Sequence, residues 1–479
     1  MLLSALTAQL GVVSIDGSTD RQIDRVVYDS RQAGPADLFV AIRGERVDAR
    51  RFVPNLEVAA VIADGPVSAR PNVTVIQVKD ARAALAAAAA ALEGQPGNTI
   101  PVVGVTGTNG KTTLTWMLEA IVSASGDSSG VVGTTGHRIA GTTFPASHTT
   151  PESPVLQSLL HQMVDAGCAA ALMEVSSIGI VMKRVDAIPF RVAVFTNFSR
   201  DHLDFHADMD EYLAAKATLF NSLLALDGIA ILNVDDPACS KIDPGSRETW
   251  TYGMGPTADF RALALQPTVK GTHFQVATPD GQYTIFLPLI GGHNVLNALG
   301  AFAAARALNI APESVIRGLE GLSTIPGRLE PVANTRDITV LVDYAHTPDA
   351  MKAVLESLRP LTRGRVLTVF GCGGDRDPGK RPQMGAVANA GSDWLFVTSD
   401  NPRHEDPMAI IQSVVSGIAG PHTIEPDRRA AITAAINSAR GGDIVLIAGK
   451  GHETTQTTGD QTIPFDDRLV ATQVLEGSA

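Results

Sequence analysis

Gly104-Val105-Thr106-Gly107-Thr108-Asn109-Gly110-Lys111-Thr112-Thr113 is the stretch on which the reading of this chain turns. Ahead of it stands Thr99-Ile-Pro-Val-Val103, a β-branched run that reads as a buried strand. Behind it, from Thr112 to Ser125, Leu114, Met117, Leu118 and Ile121 recur at helical spacing. Strand, glycine loop and helix start together make a phosphate cradle. Small residues let backbone N–H groups face the anion, the helix N-terminus adds positive potential, and Lys111 brings a full charge. Thr112 can offer its hydroxyl to Mg²⁺. Strict phosphate-loop spacing would open with glycine at 105, where valine stands; Gly104 lies one place earlier. A glycine-rich turn before an ordinary helix is the competing reading, and the Gly-Lys-Thr ending weighs against it.

A chain of 479 residues is too long for one core and implies about three domains. Its 44% hydrophobic and 18% charged residues are those of a folded globular protein. A net charge of −12 argues against nucleic-acid partners, while anionic small substrates need only a local cluster of cations. Cys168, Cys239 and Cys372 lack metal or redox spacing and fit packing roles in a reducing cytoplasm. Met1–Leu10 lacks the basic start of a secretory signal, and no apolar run reaches the length of a membrane span. A cytoplasmic protein is expected.

Composition divides the chain into residues 1–97, 98–330 and 331–479. The first part holds strand-like runs at Arg25–Tyr28, Leu38–Ile42 and Val73–Val78, then an alanine-rich helix Ala81–Leu92 with Asp80 as its N-cap. Glu93–Asn98 reads as a linker. The middle part alternates helices with buried strands at Ala169–Met173, Val192–Phe195 and Gly228–Leu232, which predicts a parallel α/β sheet. Between Arg261 and Leu289 the pattern changes to short strands with Lys270-Gly and Asp280-Gly turns, a small antiparallel sheet, followed by a helix from His293 to Leu308. The last part repeats the α/β pattern in Rossmann-like form, with strands at Thr339–Val342, Arg365–Phe370, Trp394–Val397 and Asp443–Ile447. Ligands bind at strand C-termini in such sheets.

Chemistry-bearing residues fall at those strand ends. Glu174, in Met173-Glu-Val-Ser-Ser177, and His202, in Ser199-Arg-Asp-His-Leu-Asp204, each follow a strand, and Lys216 sits on a predicted helix. An oxygen ligand such as Glu174 suits Mg²⁺ beside Thr112 and nucleotide phosphates. Taken singly, each also fits a turn cap, a satisfied structural histidine or a solvated lysine. In the last part, Gly371–Asp377, Ser399–Arg403 and Gly449–Glu453 pair Arg or Lys with Asp or Glu in tight turns. Guanidinium grips carboxylate and carboxylate takes ammonium, so a zwitterionic ligand fits, as do plain surface ion pairs.

Together these motifs resemble the Mur ligases, the ATP-dependent amino-acid ligases of peptidoglycan synthesis. The resemblance rests on Gly107–Thr112, Glu174–Ser177, Asp201–Asp204, Asn233–Asp236, His293–Asn297 and Asp343–His346, and runs from Asp29-Ser30-Arg31 to Asp467-Arg468. Within the family it is closest to the members that join meso-diaminopimelate to UDP-MurNAc-L-Ala-D-Glu. It implies that Gly107, Thr108, Asn109, Gly110, Lys111, Thr112 and Thr113 hold ATP phosphates, with Asn294, Arg328 and Asp343 also on the nucleotide. Lys111, Glu174, His202 and Lys216 are the implied catalytic set. Thr112, Glu174 and His202 serve Mg²⁺, and Lys216 joins them where the family carries a carbamylated lysine. Ser30, Glu45, Arg46, Val47, Thr149, Thr150, Ser176, Met182 and Arg184 fall at UDP-muramoyl positions. Arg376, Asp400, Asn401, Pro402, Arg403, Gly449 and Glu453 fall at diaminopimelate positions, where Arg403 would read the extra carboxylate.

The chain departs from the family pattern at Ile178, where histidine is usual, at Met182 and Ala49, and in a shortened stretch from Phe52 to Asp64. The expected chemistry is phosphorylation of a peptide carboxylate by ATP, then capture of the acyl phosphate by an amine, carried out by a monomer without nucleic-acid or membrane partners. The same ligation with L-lysine, a folylpolyglutamate-synthetase-like ligase, and a phosphate-loop kinase or ATPase are the alternatives.

Overall fold

The computed structural model describes residues 1–44 and 47–477. Glu45 and Arg46, two of the expected UDP-muramoyl positions, lie outside the described residues.

Three large sheets follow one another along the chain. The first has five strands, in the order Val12–Asp16, Thr74–Val78, Ala60–Ala63, Asp37–Ala41 and Arg25–Val27. All neighbours are parallel except the first pair. The expected helix Ala81–Leu92 packs on it, and the Asp80 carboxylate accepts from the backbone N–H groups of Arg82 and Ala83 at 2.9 and 3.0 Å. That cap satisfies donors the first helical turn would otherwise leave unpaired.

The central sheet has eleven strands. Its parallel heart runs Leu224–Asn233, Phe190–Phe195, Val102–Thr106, Ala170–Glu174 and Ser129–Val132. The antiparallel strands expected after Arg261 are Phe260–Thr268, Gly271–Thr278 and Gly281–Leu287. They continue the edge of this sheet through a parallel pairing of Tyr252 with Phe260. Alternate residues of the strand before the phosphate loop enter different cores. Val103 and Val105 pack with Leu114, Leu118, Ile121 and the helix Gly292–Ala307, whereas Val102 packs with Phe190, Leu156 and Leu160. Each such aliphatic side chain contributes roughly 1.5–3 kcal/mol by leaving water. The period of two fixes the register, so the strand's C-terminal end carries the loop to one edge of the sheet.

The strand itself is Val102–Thr106, later than the Thr99–Val103 run read from the sequence, and within the expected linker Pro96–Asn98 form a 3₁₀ turn. Gly104 is therefore no part of the loop. It sits mid-strand, where a Cβ would lie 2.7 Å from the Phe190 ring and 3.3 Å from Leu219 Cδ1. The phosphate loop opens at Gly107.

The third sheet has six strands, Glu330–Pro331, Thr339–Asp343, Ile444–Ala448, Val366–Phe370, Trp394–Val397 and His422–Ile424, parallel except for the first. A hairpin, Thr455–Thr458 with Gln461–Pro464, stands beside it. Arg428 and Asp467 form a fully buried ion pair at 2.6 Å between the helices Arg428–Ser438 and Asp467–Leu475. Among the described residues no helix is long and apolar enough to cross a membrane.

Candidate active site

The C-terminal ends of the central strands open onto a cavity of about 820 Å³, closed from the far side by Arg328 at the end of the middle part and by Asp343, His346 and Arg376 of the last part. Its floor is the phosphate loop. Gly107 has φ +145° and Gly110 φ +89°, conformations that disfavour a side chain. A Cβ on Gly107 would overlap Thr196 Oγ1, and one on Gly110 would overlap Asn297 Oδ1. The next strand's end fixes the loop: Thr108 N–H donates to Asn197 O at 2.8 Å and Asn109 N–H to Asn197 Oδ1 at 2.9 Å. The helix Lys111–Ala124 starts without a side-chain cap, so its first N–H groups stay available to an anion.

Two lysines converge on one carbonyl. Lys111 Nζ donates to Gly107 O at 2.8 Å and to Thr108 O at 2.9 Å, while Lys216 Nζ donates to the same Gly107 O at 2.8 Å. Lys216 comes from the helix Met209–Thr218, is 1% exposed, and lies 4.4 Å over the Tyr212 ring. Burial drives its pKa far down and the Lys111 charge pushes it further. Lys111 is also lowered by burial, but Glu174 and Asp201 oppose that shift.

Glu174 ends the strand Ala170–Glu174 and is 1% exposed. Its carboxylate accepts from Thr134 N–H at 2.8 Å, from the Thr112 hydroxyl at 2.9 Å and from the Thr134 hydroxyl at 3.0 Å. The Glu174 carboxylate and the Thr112 hydroxyl are hard oxygens, the ligand type that suits Mg²⁺. Among the described residues no group of three or more His, Cys, Asp or Glu could hold a metal ion by itself, so an Mg²⁺ here would need further oxygen ligands from outside the protein. His202, at φ +53°, faces the cavity. Burial lowers its pKa to about 4, with Asp201 opposing and the two lysines assisting, so the imidazole is neutral and able to ligate.

Polar contacts bind the last segment to this floor. Arg200 pairs with Asp377 at 3.1 Å and Arg376 faces Asp204 at 3.6 Å, while Arg328, just before the boundary, donates to the Thr112 hydroxyl at 3.1 Å. Asp201 receives His346 at 3.7 Å and Lys380 at 3.9 Å. Burial works to raise Asp201, yet His346, His202 and Lys380 hold it well below the usual carboxylate range. Asp343 accepts from Leu329 N–H and Ala345 N–H, both at 2.7 Å, and its pKa is raised by burial. Asn294 donates to Ile290 O at 2.8 Å and also lines the cavity.

Of the expected UDP-muramoyl positions, Thr149, Thr150, Ser176 and Arg184 line this cavity, as does Ile178. Arg184 is braced by Glu152 at 2.9 Å and by Thr150 O at 2.8 Å. Ser30, Val47 and Met182 are not in its lining. Met182 follows the short helix Ser177–Val181, and its carbonyl accepts from Arg82 at 3.4 Å.

The expected diaminopimelate positions form a second cluster at the ends of the last sheet, with only Arg376 reaching the main cavity. Asn401 donates to Glu453 Oε2 at 2.9 Å, and the fully buried Lys450 Nζ lies 3.2 Å from both Asn401 Oδ1 and that same Oε2. Gly449 leaves room for Asp400, whose Oδ2 a Cβ would approach to 2.7 Å. Pro402 carries the chain past Gly374 into Arg403 (φ +52°), whose guanidinium donates to Gly374 O at 2.6 Å.

Sequence reasoning missed Thr134, Asp201's role at the seam and Lys380, and met Lys450 only as the cation of the Gly449–Glu453 turn. Thr134 had a signal, the Gly133-Thr134 pair at the end of the apolar strand Ser129–Val132.

Comparison with known proteins agrees with this geometry. The family model described as the Mur ligase middle domain matches residues 105–305, and that of the Mur ligase glutamate ligase domain matches 327–451. The chain is 43% identical over 464 residues to the UDP-N-acetylmuramoyl-L-alanyl-D-glutamate–2,6-diaminopimelate ligase of Solibacter usitatus, covering 95% of this chain and 94% of the relative. The protein of the same name in Gloeobacter violaceus is 43% identical over 483 residues, 99% of this chain and 98% of the relative. A solved structure bearing that enzyme name superposes with a TM-score of 0.70 at 31% identity, covering 97% of each chain. Mycobacterium tuberculosis folylpolyglutamate synthase, solved with ADP and AMPPCP, shares the fold at a TM-score of 0.65 and 23% identity, over 76% of this chain and 91% of its own. The chain belongs to the Mur ligase family.

Proposed function

We propose that the chain uses ATP to join meso-diaminopimelate to UDP-MurNAc-L-Ala-D-Glu, acting as a monomer in the cytoplasm. What carries this reading is the pairing of a phosphate loop, backed by Lys111, Lys216 and Glu174, with a separate acid-and-base cluster at Asp400, Asn401, Arg403 and Glu453. The first suits a phosphoryl donor, the second a zwitterion.

The terminal peptide carboxylate attacks the γ-phosphorus of ATP, the bond to the ADP oxygen breaks, and an acyl phosphate results. The free amine of diaminopimelate then attacks the acyl carbon; phosphate leaves and the amine loses its proton. Lys111 is placed to hold the transferring phosphoryl oxygens, Arg328 to add positive charge beside Thr112, and Arg184 to orient the muramoyl peptide. Mg²⁺ at Glu174 and the Thr112 hydroxyl, with His202 near by, supplies charge neutralisation when bound. Lys216 as a free buried amine is the form that combines with CO₂, and the resulting carbamate would replace the repulsion between two lysines by attraction. Enclosure by the third segment keeps water from the acyl phosphate.

Measuring phosphate release and peptide product tests the proposal. Product must require ATP, UDP-MurNAc-L-Ala-D-Glu and meso-diaminopimelate together; equal turnover with L-lysine refutes the amino-acid assignment, and ADP formation without peptide product refutes the ligase.

A further inference from the structure

Ser177 and His206 form a buried pair that the reaction as written above does not use. Ser177 lines the cavity beside Ser176 and Thr150, and its hydroxyl lies 2.9 Å from His206 Nε2. Both residues are 1% exposed. Tyr212 stacks on the imidazole at 5.0 Å and Phe205 meets it edge-on at 5.0 Å, so the ring is held in place. Its other nitrogen, Nδ1, is buried and has no hydrogen-bond partner among the described residues.

That orphan decides the tautomer. A neutral imidazole carries one N–H. On Nδ1 the proton would be a buried donor with nothing to bond, a rare and costly arrangement; on Nε2 it donates to Ser177, and Nδ1 keeps only an unused lone pair. With Nε2–H as donor, Ser177 Oγ is an acceptor towards His206, and its own proton is free. Among the described residues that hydroxyl has no other hydrogen-bond partner. The direction left to it is the cavity.

We propose that Ser177 donates a hydrogen bond to an anionic group of the muramoyl-peptide substrate, a carboxylate in the stretch recognised by Thr150, Ser176 and Arg184, and that His206 is the positioning residue that sets the polarity of this hydroxyl. The proposal rests on the ligase reading. It assigns Ser177 a substrate contact of its own in the family motif Glu174-Val-Ser-Ser177, on the wall where Ile178 presents no polar group.

The experiment measures binding of UDP-MurNAc-L-Ala-D-Glu by calorimetry, and steady-state KM for all three substrates, in the full-length protein and four variants. Ser177→Ala should weaken nucleotide-dipeptide binding about tenfold and leave the ATP and diaminopimelate KM within twofold. His206→Phe, which keeps a ring against Tyr212 but removes the donor, should cost the same. The double variant should be no worse than Ser177→Ala alone, because the histidine acts only through the serine. His206→Gln, whose amide nitrogen reaches the Nε2 position, should recover most of the loss. Unchanged dipeptide binding in Ser177→Ala overturns the contact, and additive losses in the double variant overturn the positioning role. A His206→Phe protein that fails to fold leaves the decision with Ser177→Ala and His206→Gln. Wild-type protein that neither binds the nucleotide dipeptide nor ligates it refutes the proposed function instead.

Discussion

Gly104 and Gly107 are three residues apart, and substitution should affect them through different physics. An alanine at 104 puts a Cβ 2.7 Å from the Phe190 ring and 3.3 Å from Leu219, inside a core where both neighbours are fully buried. Overpacking of this kind costs about 1–3 kcal/mol. The lower backbone entropy of alanine in the unfolded chain returns about 0.4–1 kcal/mol. The mid-values leave a net loss of about 1.3 kcal/mol, which lowers Tm by about 3–5 °C for a unit of this size. Gly104→Ala should therefore melt earlier yet bind ATP with an unchanged KM, and Phe190→Leu in the same chain should recover part of the lost stability by making room. Gly107→Ala meets Thr196 and the Asn197 backbone at φ +145°, so it distorts the cradle and should raise the ATP KM at least tenfold. Calorimetric melting and ATP-dependent phosphate release read the two effects separately. A Gly104→Ala protein with normal Tm and a raised ATP KM would refute the assignment of Gly104 to packing and return it to the loop.

Lys216→Met keeps the buried stem but removes the amine; ligation should fall at least a hundredfold while the fold persists, and wild-type activity should drop in CO₂-free buffer and return with bicarbonate. Wild-type activity indifferent to bicarbonate counts against carbamylation. Arg403→Ala should raise the diaminopimelate KM at least tenfold with little change in the ATP KM, since the loop between Gly374 and the hairpin loses its guanidinium; equal kinetics would remove Arg403 from the site. His404 is clasped by Asp375 at 2.8 Å and Asp460 at 3.5 Å, and hydrogen bonding to Asp375 raises its pKa. Its contribution is therefore complete below the unfolded value of about 6.5 and lost as pH rises through the higher folded value. An NMR titration should place the midpoint above that of an unperturbed histidine and show it falling in Asp375→Asn; identical midpoints would exclude the clasp.

The strand–loop–helix order around Lys111 was legible because each element has its own period, and the Asp80 cap was legible because the capping bond closes within three residues. Gly104 was misread for an instructive reason. Its glycine is demanded by Phe190, eighty-six positions away, and a sequence scanned for phosphate loops credits every nearby glycine to the loop. Glu174 could be named from its strand-end position, but the two Thr134 bonds that hold it come from the turn after a different strand, Ser129–Val132. Local spacing likewise gives Lys111 and Lys216 no relation, yet the fold brings Lys216, 109 positions from Gly107, to the carbonyl that Lys111 also holds. The family motifs supplied Ser30, Val47 and Met182, but none of the three lines the main cavity.

Charge placement around the cavity follows from that convergence. A site for polyphosphate gains from cations, but cations crowded into a buried space repel one another and lose hydration. His202 relieves this by being neutral there, held at about 4, while burial and the Lys111 charge drive the Lys216 pKa far down from its ordinary value. Lys111 keeps Glu174 and Asp201 as its supporting anions. Asp201 is in turn held ionised by His346 and Lys380, which arrive from the third segment. The segment that carries the amino-acid cluster thus also supports, through Asp201, the charge of the phosphate-loop lysine. With the amine held there as proposed, separating the two should weaken the phosphate site as well as remove that amine.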